Sequence, residues 1–164
     1  MTKLTTGLSN VTTWQYNEYG WLPNKLDANS SSMMTLRYNA SGWVTNRNTP
    51  AKGDTRYKLD AMGNITNINY AASTDITLKY DAAGRMTNMV DAAGTTVLGY
   101  TSVGAVSSEN GPWSDDTISY LYNTNRQRSS LSMLQPSAAA WTQTYIYDNA
   151  DRLDVITTSA GQFA

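Results

Sequence analysis

Asp60, Asp81 and Asp148 each follow directly on a large residue, Leu59, Tyr80 or Tyr147. Carboxylates recurring in this way could line up as oxygen ligands for a hard cation such as Ca²⁺, which takes six to eight oxygens. One carboxylate per recurrence is sparse for that, and no D-x-D-x-D-G loop is present, so tying a turn is the simpler role. A second acidic set, Asp91, Glu109, Asp115 and Asp116, falls in or beside segments rich in Gly, Ser and Pro. A pair of such carboxylates, or one with a metal-bound water, could hydrolyse an ester, lactone or glycoside. Four tryptophans could stack on a sugar ring or an apolar partner. Trp21 and Trp43 each follow a glycine directly, and Trp113 and Trp141 lie in or beside irregular segments. The competing account of Trp21 and Trp43 is that they cover the open end of a sheet.

The remaining chemical repertoire is narrow. The 164 residues include no His and no Cys, and the only Glu residues are Glu18 and Glu109. That excludes an imidazole base, a Ser-His-Asp triad, a thiolate nucleophile, a disulfide framework and any His- or Cys-ligated metal. No G-x-S-x-G elbow or S-x-x-K motif occurs. The net charge of −1 leaves no electrostatic footprint for nucleic acid. No run approaches the roughly 18 apolar residues of a membrane span, and Met1–Asn10 has no apolar signal region. Any catalysis must use oxygen or Lys groups, and a non-catalytic role is the favoured expectation.

The elements that would position these residues are β-strands. Thr, Ser and Asn number 22, 16 and 15, with 11 Tyr and 5 Trp against 1 Phe. Thr, Tyr and Trp suit a pleated, half-solvated surface, while Asn, Ser and Gly supply turns. The chain is long enough for one domain with an ordinary core.

Internal periodicity organises the chain. A pattern of Tyr or Leu, then Asp or Asn, two free residues, Gly, one residue and an aliphatic recurs. It reads Tyr16-Asn-Glu-Tyr-Gly20-Trp-Leu22, Tyr38-Asn-Ala-Ser-Gly42-Trp-Val44, Leu59-Asp-Ala-Met-Gly63-Asn-Ile65 and Tyr80-Asp-Ala-Ala-Gly84-Arg-Met86. Tyr100-Thr-Ser-Val-Gly104-Ala-Val106 loses the acid or amide. Tyr122-Asn-Thr-Asn-Arg126-Gln-Arg128 and Tyr147-Asp-Asn-Ala-Asp151-Arg-Leu153 lose the Gly. First residues at 16, 38, 59, 80, 100, 122 and 147 give a spacing near 21.

Each copy reads as a β-hairpin. Large residues alternate ahead of the turn, as in Leu36/Tyr38, Leu78/Tyr80 and Tyr145/Tyr147. Apolar residues then fall six and nine positions after the first residue. Those positions differ in parity, so the return strand needs a bulge between them, or both its faces are partly buried. The connections Ala28–Met34, Asn48–Asp54, Glu109–Asp116 and Met133–Ala140 absorb the length variation, and Pro136–Ala140 could make one helical turn. The expected fold is all-β: residues 1–164 as one repeat domain, an antiparallel meander forming a curved open sheet or a strip of a solenoid-like shell. Turns would line one edge and insertions the other, where a repeat protein carries binding function.

The segment Tyr80-Asp-Ala-Ala-Gly-Arg-Met-Thr-Asn-Met89, repeated in register across roughly Trp14–Thr158, resembles the tyrosine–aspartate (YD) repeat, also called the RHS repeat. This family includes bacterial polymorphic toxins, insecticidal toxin-complex subunits, wall-associated proteins and teneurins. The resemblance implies hairpins winding into a shell, which encloses an effector in the toxins and serves adhesion in surface proteins. This chain has far fewer repeats than a full shell, lacks the D-P-x-G-L segment that marks the cleavage point, and has no non-repeat C-terminal domain. It therefore reads as a fragment of a longer frame, forming an open sheet and not a self-cleaving cage. The expected function is a non-catalytic shell or scaffold segment that binds carbohydrate or a protein partner through its loops; the alternative is a small carboxylate hydrolase, with Ca²⁺ as the one cofactor the residues could hold. Open strand ends and Tyr-rich faces predict self-association. The family suggests a secreted or cell-surface bacterial location.

Overall fold

A computed structural model of the chain describes residues 2–5, 11–135 and 138–163, and all regular structure among them is β-strand. The chain divides into two units, residues 1–84 and 85–164. The first contains β1 (Thr2–Thr5), β2 (Val11–Gln15), β3 (Asn24–Leu26), β4 (Ser32–Tyr38), β5 (Val44–Thr49), β6 (Gly53–Leu59), β7 (Ile65–Tyr70) and β8 (Ile76–Tyr80), each paired antiparallel with the next. The second contains β9 (Met86–Val90), β10 (Thr95–Tyr100), β11 (Val106–Asn110), β12 (Ile118–Tyr122), β13 (Arg128–Gln135), β14 (Ala138–Tyr147), β15 (Leu153–Thr158) and β16 (Gly161–Phe163), paired in the same way. The chain is thus an all-β meander of hairpins.

The parity problem is solved by a bulge. Tyr38 pairs with Val44 while Arg37 pairs with Asn46, which leaves Thr45 as the extra residue. The same shift recurs at Leu59/Ile65, Tyr100/Val106, Tyr122/Arg128 and Tyr147/Leu153. One inserted residue returns the next side chains to the face they would otherwise leave. The residue nine positions on then lies opposite the first large residue, as in Tyr57↔Ile68, Tyr120↔Leu131 and Tyr145↔Ile156. Both apolar positions therefore share the face of the large pair.

Consecutive hairpins are joined by tyrosine hydroxyls. Tyr38 donates to the carbonyl of Leu22 at 2.9 Å, Tyr80 to that of Ile65 at 2.8 Å, and Tyr100 to that of Met86 at 2.6 Å. Tyr122 donates to Val106 at 2.7 Å and Tyr147 to Arg128 at 2.9 Å. In every case the acceptor is the residue six places after the start of the preceding copy. The repeat tyrosines do not stack on one another among the described residues. The aromatic pairs among the described residues are Tyr19–Trp21 and Trp21–Tyr38, with centroids 5.1 and 5.3 Å apart. The rings are instead placed so that each hydroxyl reaches the main chain.

Two expectations change. Several connections are shorter than the sequence suggested, because pairing continues into them: Met133 pairs with Trp141, and Gln135 with Ala138. Ala138–Ala140 accordingly open β14 and do not join a helical turn, while Pro136 and Ser137 lie outside the described residues. An ordinary core is also absent among the described residues, where Thr55, 5 % exposed, is the sole buried residue. A single layer of sheet has no second layer to close over its apolar face.

The turn glycine carries positive φ, and the copies without it bear the cost. Gly63 has φ 89°, and a Cβ there would stand 2.8 Å from the Trp43 ring. Arg126 and Asp151 hold the equivalent place at φ 64° and 60°. A non-glycine residue in this region costs about 1 kcal/mol. Arg126→Gly should therefore raise unfolding stability by about 1 kcal/mol, as measured by urea denaturation. Removing one hydroxyl tie with Tyr80→Phe should lower it by about 1 kcal/mol on the same assay; an unchanged midpoint would show that the tie contributes nothing.

Candidate functional site

The repeat turns share one hydrogen-bond scheme. Asp60 Oδ1 accepts the backbone N–H groups of Met62 and Asn64, each at 2.9 Å, while Asp60 N donates to Asn64 O at 3.0 Å. Asp148 does the same with Ala150 at 2.8 Å and Arg152 at 2.9 Å. Asp81 Oδ1 accepts from Ala83 N at 2.9 Å. Asn17 and Asn39 reproduce the scheme with neutral side chains, and Thr101 offers its hydroxyl to Ala105 N at 3.1 Å. Asp, Asn and Thr are interchangeable here because a single acceptor oxygen is what the turn requires.

The second oxygen of each carboxylate is also engaged where the following side chain allows. Asn64 Nδ2 donates to Asp60 Oδ2 at 2.9 Å. Arg152 meets Asp148 Oδ2 through Nε at 2.8 Å and through its terminal nitrogen at 2.7 Å. The Asn64 amide, assisted by the backbone donors, holds the Asp60 carboxyl below the usual range. The Arg152 backbone N–H, then its guanidinium, does so for Asp148. Burial raises the Tyr80 phenol, and the nearby charge of Asp60 adds to the shift. Asp60, Asp81 and Asp148 sit in separate turns, and among the described residues no three acidic groups gather at one place. The donor set at Asp60, Asp81 and Asp148 does not assemble the oxygens that Ca²⁺ needs.

Asp91, Glu109, Asp115 and Asp116 belong to the opposite edge of the second unit. Asp91 Oδ1 closes its own turn onto Ala93 N at 2.9 Å and Gly94 N at 3.3 Å. Asp116 brackets the next loop: Oδ1 accepts from Gly111 N at 2.9 Å and Oδ2 from Trp113 N at 3.0 Å. Asp115 takes φ 62° on the outside of that loop. Pro112 ties the two turns together, since a Cβ on Gly94 would stand 2.6 Å from Pro112 Cβ. Glu109 lies in β11, opposite Leu98 and Ile118. Asp91 and Asp116 are thus committed to backbone N–H groups. The bracketed loop carries Trp113, 67 % exposed, at its tip.

Trp21 and Trp43 do not sit at an open end. Each covers the turn glycine of the following copy, Trp21 at Gly42 and Trp43 at Gly63, and Arg85 does the same at Gly104. Arg85 also lies 4.5 Å from the centre of the Tyr100 ring. Trp141 lies within β14, opposite Met133.

Two features escaped the sequence reading. Asp27 builds a further turn of the same kind on the opposite edge, with Asn29 N at 2.9 Å and Ser31 N at 2.8 Å on Oδ1, and Ser30 at φ 62° in the glycine place. The signal was Leu26-Asp-x-x-Ser30. The second is an amide ladder on the face opposite the large pairs. There Asn48 donates to Asp54 at 2.8 Å and Asn69 to Asp75 at 2.6 Å. With Thr35, Arg37, Asn46 and Arg56, Asn48 and Asp54 line an open polar groove. Asn24, Asn46, Asn67 and Asn88 each stand eight residues after a repeat start, and that regularity was legible.

Lowered carboxyl values make the turns acid-sensitive in a defined direction. The stability from Asp60 and Asp148 is complete above the ordinary carboxylate value, about pH 4, and is lost as pH falls through their lower folded values. A double variant, Asp60→Asn with Asp148→Asn, keeps the turn acceptor but cannot titrate. Its stability should be flatter than that of the parent between about pH 4 and pH 2, read from urea midpoints across a pH series. Equal slopes would place the acid sensitivity elsewhere.

No family model and no curated protein matches the sequence. Solved structures do match the fold. The crystal structure of TcdB2-TccC3-TEV matches with a TM-score of 0.74 at 16 % identity, over 94 % of this chain and 9 % of that one. TcdB2-TccC3-Cdc42 gives 0.75 at 14 % identity over 93 % and 9 %. The Photorhabdus luminescens Tc holotoxin pore gives 0.73 at 16 % identity over 93 % and 9 %. The chain spans 9 % of the length of each of these three matched chains. At such identities the likeness is one of fold, and it agrees with the YD-repeat resemblance carried by the seven copies: this chain has the hairpin-repeat fold found within the TcdB2-TccC3 structures.

Proposed function

We propose that the chain is a non-catalytic shell or scaffold segment that meets a protein partner, or a carbohydrate, through the inserted loops of one edge. The carrying observation is that the turn carboxylates, Asp60, Asp81, Asp91, Asp116 and Asp148, accept hydrogen bonds from the backbone of their own turns. A carboxylate holding its own turn is a structural group and a poor general base, because proton transfer would break the turn. The likeness to parts of the multi-component TcdB2-TccC3 structures supports the same reading. On the loop edge, Trp113 is the side chain best placed for a partner, since the Asp116 bracket fixes its loop before contact. A secreted or cell-surface location and self-association belong to this proposal.

The purified full chain, assayed against ester, lactone and glycoside substrates with and without a chelator, should show no turnover above buffer. Turnover that vanished in Asp91→Ala or Asp115→Ala would overturn the scaffold reading and put the hydrolase in its place.

A further inference from the structure

We infer that a hollow on the insertion edge of the first unit is a binding site for a small organic phosphate monoester, held by Arg47, Lys52 and Thr55. The inference goes beyond the scaffold proposal and does not depend on it.

The hollow has a volume of about 610 Å³, within the roughly 300–1,000 Å³ of small-molecule sites. Its floor is one row across three strands: Arg47 of β5 pairs with Thr55 of β6, and Thr55 with Tyr70 of β7. Its walls are the two connections beside that row. In the first, Lys52 N donates to Thr49 O at 3.2 Å. In the second, the Asp75 carboxylate accepts from Asn69 Nδ2 at 2.6 Å and from Tyr70 N at 3.3 Å. The two connections touch, since a Cβ on Gly53 would stand 3.2 Å from Ala71 Cβ. Lys52 and Ser73 stand exposed on the rim, and Ala51, Ala71 and Ala72 add methyl groups.

The floor is polar where the repeat elsewhere is apolar. Arg47 stands nine positions after Tyr38, where four other copies place Ile68, Met89, Leu131 and Ile156. Thr55 stands four positions before Leu59, where three others place Met34, Ile76 and Ile118. These two departures are cross-strand partners. Thr55 is 5 % exposed, yet no hydrogen bond engages its hydroxyl among the described residues. No unpartnered side-chain oxygen there is sealed from solvent, so this hydroxyl opens onto the hollow that Thr55 lines. Among the described residues no carboxylate pairs with Arg47 or Lys52, and none lines the hollow. Two cations and a buried donor without a partner select an anion. Two oxygens of a phosphate suit the guanidinium fork, and the third remains for Lys52 and the Thr55 hydroxyl. A carboxylate held by the same fork has no oxygen left over. A bare phosphate would leave much of the hollow empty, so an organic body along Tyr70 and the alanine methyls completes the ligand.

Calorimetric titration of the full chain with phenyl phosphate should show one site per chain, and phenol should not bind. Inorganic phosphate, which lacks the body, and phthalate, a dicarboxylate, should each bind roughly 10-fold or more weakly. Arg47→Leu gives this copy an apolar side chain like the others and should weaken phenyl phosphate roughly 10-fold or more. Thr55→Val removes the hydroxyl, keeps the shape and should weaken it roughly 3-fold or more. Arg37→Leu, on the opposite face, should leave it unchanged. Should a variant fail to fold, the unaltered chain decides: phenyl phosphate should slow acetylation of Lys52 and not of Lys58, on the opposite face. No binding of phenyl phosphate, or equal acetylation of both lysines with and without it, would overturn the inference. Binding untouched by both Arg47→Leu and Thr55→Val would overturn it equally. Phthalate or inorganic phosphate binding as tightly as phenyl phosphate would overturn the assignment to a phosphate monoester.

Discussion

A phenol hydroxyl reaching the main-chain carbonyl of the preceding hairpin is the bond on which this structure turns. Hairpins in a meander already share strand hydrogen bonds, but those fix register only along the strand direction. The hydroxyl from Tyr38, Tyr80, Tyr100, Tyr122 or Tyr147 adds a fixed length to the residue six places into the preceding copy, which at Ile65, Val106 and Arg128 sits at a bulge. Each phenol gives a main-chain carbonyl of the preceding hairpin a side-chain donor. Leu59 occupies the equivalent place without a hydroxyl, so that junction in the first unit is held by the β5–β6 ladder and the Asn48–Asp54 hydrogen bond instead.

The turns follow from the same economy. A five-residue turn with one side-chain acceptor and one positive-φ residue needs little from the rest of the protein, which is why Asp, Asn and Thr all serve. That local sufficiency also absorbs the carboxylates. The acids that looked most available for chemistry are held by N–H groups of their own loops, and the aromatic residues that looked like platforms lie over the next turn.

Local features were legible in the sequence and distant ones were not. The seven copies, their hairpins and the bulge follow from residues close in sequence, where spacing encodes geometry directly. The Asp27 turn was overlooked because Ser30 stands in the glycine place, at a backbone angle a search for glycine cannot see. The tyrosine ties leave no signal in the sequence because their acceptors are carbonyls, which every residue possesses and which leave no mark on composition. The Asp116 bracket needs the loop fold to bring Gly111 and Trp113 to one carboxylate. The missing core was hidden by an ordinary apolar fraction of 40 %, since composition does not say whether a second layer exists.

Joining hairpins through a carbonyl has an evolutionary consequence. Tyr147 binds the carbonyl of Arg128 as readily as Tyr38 binds that of Leu22, although the two side chains share nothing. The acceptor survives any substitution, so a hairpin can dock onto any predecessor that presents a strand. Copies can then be duplicated, deleted or exchanged without coordinated change at the junction, and their sequences are free to diverge. A chain assembled in this way keeps its architecture while the sequence of each copy changes.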